Sequence, residues 1–137
     1  MKYVVDASVI AALLMPDEPS DAFSSAAGLL FQEGATCPGL MQLEFTNILL
    51  KSERRKRISA DQVRDLSAAF DQIPLVLQNT LTHEQRHVVL NLARQHHLTS
   101  YDAAYLELTI RLNLKLVSLD RDLVKAAEKE GAGVYSF

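Results

Sequence analysis

Four carboxylates stand where local structure gives little reason to put one. Asp6 directly follows the apolar pair Val4-Val5. Glu44 sits inside the run LMQLEFTNILL at 40–50. Asp102 opens the segment Asp-Ala-Ala-Tyr-Leu, and Asp120 follows Val117-Ser118-Leu119. Carboxylates rarely enter apolar surroundings unless they are paired or hold a metal. Within four positions of Asp6 the only basic residue is Lys2. Several converging acids would repel one another, and a bound cation offsets that repulsion. Oxygen-only donors suit Mg²⁺ or Mn²⁺ rather than zinc or copper. The constellation points to phosphodiester hydrolysis by metal-activated water. Each acid also has a plainer reading. Asp102 could be a charge at a helix start, Asp120 a helix cap, and Glu44 a solvent-facing helix residue. Asp6 is the hardest to dismiss in this way.

The elements that must position these groups alternate in type. Residues 2–5 read as a short buried strand ended by Asp6, and 7–15 as a helix stopped by Pro16. Ser20 is expected to cap a second helix through about Gln32, with Gly34 at its end. A very short strand at 35–37 precedes Pro38. The long helical pattern at 40–56 takes its apolar face from Leu40, Leu43, Ile48 and Leu49, with Phe45 near it. Ser59 caps a helix over 60–72, and 75–77 is a strand. Thr82 caps a helix to about His96, and Ser100 caps another over 101–112. A strand at 115–118, a helix from about 121 to 130 and an edge strand at 133–135 complete the pattern. Short apolar strands alternating with helices imply a parallel sheet covered on both faces, a three-layer α/β/α fold. Ligands in such folds sit beyond the carboxyl ends of the strands. Asp6 and Asp120 lie there.

Composition sets the bounds. The chain has 137 residues, 48% of them hydrophobic, which reads as one domain spanning 1–137 with a core of its own. Cys37 is the only cysteine, so an internal disulfide is impossible and a reducing cytoplasm is expected. No run approaches the roughly 18 apolar residues of a membrane span, and the start MKYVVDAS lacks the features of a leader. The net charge is −3, whereas nucleic-acid binders are usually basic. Binding would require charge separation, which the sequence shows. Lys51, Arg54, Arg55, Lys56 and Arg57 place five of the fourteen basic residues within seven positions. This run is either a solvated helix end or a phosphate track.

At this point the chain resembles a known family, the PIN-domain ribonucleases, and within it the toxins of VapBC-type toxin–antitoxin pairs. Val4-Val-Asp-Ala-Ser8 is similar to the family's opening strand and first acid. Glu44-Phe-Thr-Asn47 resembles its helical Glu followed by Asn. Thr99-Ser-Tyr-Asp-Ala-Ala-Tyr105 and Leu116-Val-Ser-Leu-Asp-Arg-Asp-Leu123 resemble its remaining acidic blocks, with Ser118 where many members carry Thr. The resemblance covers the chain almost end to end. It implies a PIN-like fold and an endoribonuclease requiring Mg²⁺ or Mn²⁺. It also implies a homodimer, and inhibition by a small antitoxin that covers the site. On this reading Asp6, Asp102 and Asp120 hold the metal, and Glu44 acts through water or a second ion. Ser8, Asn47 and Ser118 orient carboxylates or waters. Asp122 is a further candidate, and the bases at 51–57 are candidate RNA contacts.

Competing motifs are weaker. His83-Glu-Gln-Arg-His87 matches H-E-x-x-H, which on a helix can bind zinc. Leu90 and Ala93 stand where the metzincin extension needs Gly and His, and Glu107 is the only nearby third ligand. No catalytic zinc is expected. His96 and His97 read as favourable charges at a helix end. Asp6-Ala-Ser8 also resembles the nucleophile loop of haloacid-dehalogenase-type phosphotransferases, but Ser8 replaces their second acid. A receiver domain would need a mid-chain acceptor Asp, and Lys115 precedes its strand rather than following it. The non-enzymatic alternative is an inactive PIN-like RNA-binding or scaffolding domain. Such domains usually lose an acid, and this chain keeps all four.

Overall fold

Tyr3–Val5 form the central strand β1, and Val4 and Val5 are wholly buried. A strand covered on both faces is a continuous apolar run rather than an alternation. On one side β1 pairs in parallel with β2 (Ala35–Pro38), Tyr3 opposite Ala35, and β2 pairs with β3 (Leu75–Gln78). On the other side it pairs with β4 (Lys115–Val117), Val5 opposite Val117, and β4 pairs with β5 (Gly133–Val134). The order is therefore β3-β2-β1-β4-β5. The chain adds strands outward from β1 in one direction, then returns to build the other side. The reversal falls between β1 and β4, the switch point beside which open α/β sheets bind ligands. The computed structural model describes residues 1–15, 27, 28, 30 and 32–137.

Right-handed crossovers then sort the helices. α1 (Ala7–Leu14), α2 (Met41–Arg54) and α3 (Ala60–Asp71) follow the outward strands and pack together on one face. α4 (His83–His96), α5 (Ser100–Leu112) and α6 (Arg121–Lys129) form the other layer. α5 lies directly on β1, β2 and β4, and its residues 103–109 are all buried. Phe45 and Phe70 stack at 4.9 Å and join α2 to α3. Among the described residues, no helix is long and apolar enough to cross a membrane.

Local chemistry explains the helix ends. Ser59 with Gln62, and Thr82 with Gln85, form reciprocal capping boxes at the starts of α3 and α4. α4 and α5 end on the left-handed residues His97 and Asn113. The expected second helix reaches Glu33, and Gly34 follows it at φ +82°. Its expected cap at Ser20 lies outside the described residues, as does the stop at Pro16.

Three expectations need correction. The strand at 35–37 extends through Pro38, which sits last in its strand. Leu43 is not on the apolar face of α2, being 76% exposed. The buried row is Met41, Phe45 and Leu49, at four-residue spacing. The cap of α5 is Thr99 rather than Ser100. The Thr99 hydroxyl accepts from the Asp102 amide at 3.1 Å, and Ser100 is already helical. Removing that cap has a measurable consequence. Thr99→Ala should lower stability by about 0.5–2 kcal/mol in denaturant unfolding, and Ser100→Ala should change it little. Equal losses from the two would contradict this assignment.

Candidate active site

Asp6 ends β1 and begins α1, and both roles aim its carboxylate at the switch point. Its backbone amide still donates to Val117 O of β4 at 3.2 Å. Ser8 Oγ donates to Oδ1 at 2.5 Å, and the Val9 amide donates to the same oxygen at 3.3 Å. Ser118 Oγ donates to Oδ2. The serines are themselves held, because the Leu119 amide donates to Ser8 Oγ at 3.1 Å and the Asp120 amide to Ser118 Oγ at 2.9 Å. The loop after β4 is thereby tied to the loop after β1.

The other acids arrive from three helices. Glu44 is in the first turn of α2, half-buried, and accepts from the Tyr105 hydroxyl of α5. Asp102 is in the first turn of α5, on the same side as Tyr105 three residues on. Asp120 caps α6, its Oδ1 accepting from the amides of Asp122 at 3.0 Å and Leu123 at 3.2 Å. The plain reading of Asp120 as a cap therefore holds for one of its oxygens. Asp6, Ser8, Glu44, Asn47, Asp102, Tyr105 and Asp120 line a single open cleft of about 280 Å³.

Burial, with the charge of neighbouring acids added to it, costs Asp6, Glu44 and Asp102 their ordinary acidity. Burial pushes the Asp6 carboxyl upward, and the nearby charge of Asp120 adds to it, against the three hydrogen bonds that favour ionisation. Glu44 is raised by burial and by Asp102 and Asp6, with the Tyr105 hydrogen bond opposing. Asp102 is raised by burial and by Asp120 and Asp122. The Tyr105 hydroxyl is pushed far above its usual value, first by burial and then by Glu44, so it stays a donor. Among the described residues, no three His, Cys, Asp or Glu form a group that could hold a metal ion directly, and the mutual repulsion of like charges opposes such convergence. Mg²⁺ keeps several waters and needs only one or two direct carboxylates, so an oxygen-lined cleft with excess negative charge fits such an ion.

The remaining candidates fall around this cleft in different ways. Ser8 and Asn47 line it, and Ser118 touches it through Asp6. Asp122 lines a neighbouring cleft instead. Lys51 and Arg54 follow Glu44 and Asn47 by seven residues each, which keeps them on the same side of α2. None of the bases at 51–57 lines the acidic cleft. His83 and His87 stack on each other at 5.8 Å on exposed α4 positions and do not line it either. Glu107 is buried and held by Arg111 at 2.7 Å. Tyr105 was not among the candidates. Its signal was its place three residues after Asp102, on the same helix face.

Comparison with known proteins gives a consistent picture. The sequence profile of the PIN domain matches residues 3–129. Ribonuclease VapC3 of Pyrobaculum aerophilum is 35% identical over 125 residues, spanning 91% of this chain and 94% of that protein. The crystal structure of PAE2754 from Pyrobaculum aerophilum matches with a TM-score of 0.71 at 27% identity, covering 98% of this chain and 83% of that one. VapBC2 from Rickettsia felis, solved bound to a DNA fragment from its promoter, matches at 0.71 over 98% of both chains. At 14% identity, it speaks for the fold alone.

The raised carboxyls give a pH signature. A carboxylate raised in the folded chain binds its proton more tightly there than in the unfolded chain, so stability falls as pH rises through the raised value. The window opens above the ordinary values, 3.8 for Asp6 and Asp102 and 4.5 for Glu44. The metal-free protein should therefore melt higher as pH is lowered from neutrality toward that range. Asp102→Asn should flatten this climb and leave the metal-free protein at least as stable at neutral pH. A less stable variant with an unchanged profile would make Asp102 a helix-start charge worth about 0.3–1 kcal/mol.

Proposed function

The chain belongs to the PIN domain family, and from that premise we propose that it is an Mg²⁺- or Mn²⁺-dependent endoribonuclease, the toxin of a toxin–antitoxin pair. One observation carries the reading. Four carboxylates from four separate elements line one cleft at the switch point of the sheet, in a chain similar along most of its length to a ribonuclease.

One or two of Asp6, Asp102 and Asp120 would hold the cation directly and the rest through its waters, and Glu44 would act through water or a second ion. When bound, the ion supplies an activated water and offsets charge on the phosphate. Ser8 and Ser118 hold both oxygens of Asp6, so this carboxylate presents a set orientation. Tyr105 does the same for Glu44. With one oxygen engaged at the start of α6, Asp120 is directed through the other. Asn47 contributes a neutral polar group to the same wall. Among the described residues no basic side chain lines the cleft, so a cation would offset the repulsion between the acids and an RNA phosphate. A homodimer and an antitoxin that covers the cleft complete the proposal, as does a cytoplasmic setting; these rest on family membership.

The test is cleavage of RNA by the purified protein. Mn²⁺ should support cutting and EDTA should stop it. Asp6→Asn should be inactive while still folded. Ser118→Ala keeps every acid and should lose about 10–100-fold, the usual cost of removing an outer-shell partner. Cleavage that survives EDTA, or a fully active Asp6→Asn, would overturn the proposal. RNA binding without any cutting would favour the inactive PIN-like alternative.

A further inference from the structure

A second cleft opens beside the acidic one. It holds about 310 Å³ and is lined by Gln95, His96 and His97 at the end of α4 and by Asp122, Lys125 and Lys129 on α6. Asp122 lines the second cleft and sits beside two of the acids of the first. Its charge acts on Asp102, and its amide donates to Asp120 Oδ1. Beyond Asp122 the lining changes sign. Lys125 and Lys129 are both exposed and four residues apart, so they share a helix face. At a rise of about 1.5 Å per residue they stand roughly 7.5 and 13.5 Å along the helix from Asp120. The neighbouring acid Glu130 is engaged by His96 Nε2 at 2.9 Å.

A polyanion whose scissile phosphate lies among the four acids must continue past them, and outside the metal site it is held by Lys and Arg. Lys51 and Arg54 on α2 can serve one direction. The cleft on α6 belongs to the opposite helix layer and begins at Asp122, whose amide bonds Asp120. Its volume is at the lower end for ligand pockets, about 300–1,000 Å³. Resting on the ribonuclease reading, we propose that this cleft binds the nucleotide and phosphates next to the scissile bond in single-stranded RNA. Lys125 and Lys129 pair with successive phosphates, and Gln95 and His97 face the sugar or base.

The experiment compares the wild-type protein with the Lys125→Gln/Lys129→Gln double variant on one short single-stranded RNA, in Mn²⁺, over a series of salt concentrations. Lys115→Gln, at the far end of the sheet, is the control. Each single-strand phosphate contact contributes about 0.7 to the slope of log kcat/KM against log salt. The double variant should therefore lose about 1.4 from that slope, with KM raised, kcat kept and the melting temperature unchanged. The control should match wild type. A double variant with wild-type slope and KM would overturn the inference, as would an equal loss in Lys115→Gln or a loss confined to kcat. Failure of the wild-type protein to cut any RNA would instead remove the ribonuclease reading, and this inference with it.

Discussion

Carboxylates that share a half-buried cleft repel one another, and the structure around this one is arranged to keep them together regardless. Asp6 is the most constrained. Its neighbours Val4 and Val5 are fully buried in the central strand, so the backbone cannot yield. Three donors then fix its two oxygens. Glu44 is reached by a tyrosine rooted in the core of α5, with Tyr105 only 1% exposed. Asp120 is anchored by the amides that open α6. The repulsion is thus opposed by hydrogen bonds to these acids and by the packed elements that carry them, and the surplus negative charge is left facing the cleft.

That surplus also explains how a chain of net charge −3 can be suited to a polyanion. Charge is sorted by position. The acids collect at the carboxyl ends of β1 and β4. Bases collect further along the two helices whose first turns carry or follow those acids, α2 and α6. The acidic cleft itself repels a phosphate unless a cation intervenes, while the proposed contacts by the flanking bases would act on the strand at a distance set by helix length.

The sequence disclosed much of this, unevenly. Asp6 and Asp120 were legible because each follows a short apolar strand, and strand ends are where α/β folds place their sites. The three-layer architecture followed from alternation of elements. Less accessible was anything decided by one helical turn. Leu43 looked like core because its neighbours are apolar, yet the four-residue row of Met41, Phe45 and Leu49 turns it outward. Thr99 and Ser100 are equally good caps by type, and only backbone geometry separates them. Tyr105 is marked in the sequence only as the end of the block at 99–105 and as a same-face neighbour of Asp102, with nothing to say what its hydroxyl bonds. Its hydroxyl acquires a partner only because α2 crosses α5, a long-range contact that no local pattern encodes. The cleft between α4 and α6 is likewise a product of packing.

The most direct test of the central claim is the location of a bound cation. Crystals grown with Mn²⁺ and measured for anomalous scattering should show a peak in the cleft of Asp6, Glu44, Asp102 and Asp120. The ion should be in direct contact with at least one carboxylate oxygen, with waters filling the remaining positions. A peak only at His83 and His87, or none in the acidic cleft at saturating Mn²⁺, would contradict the account.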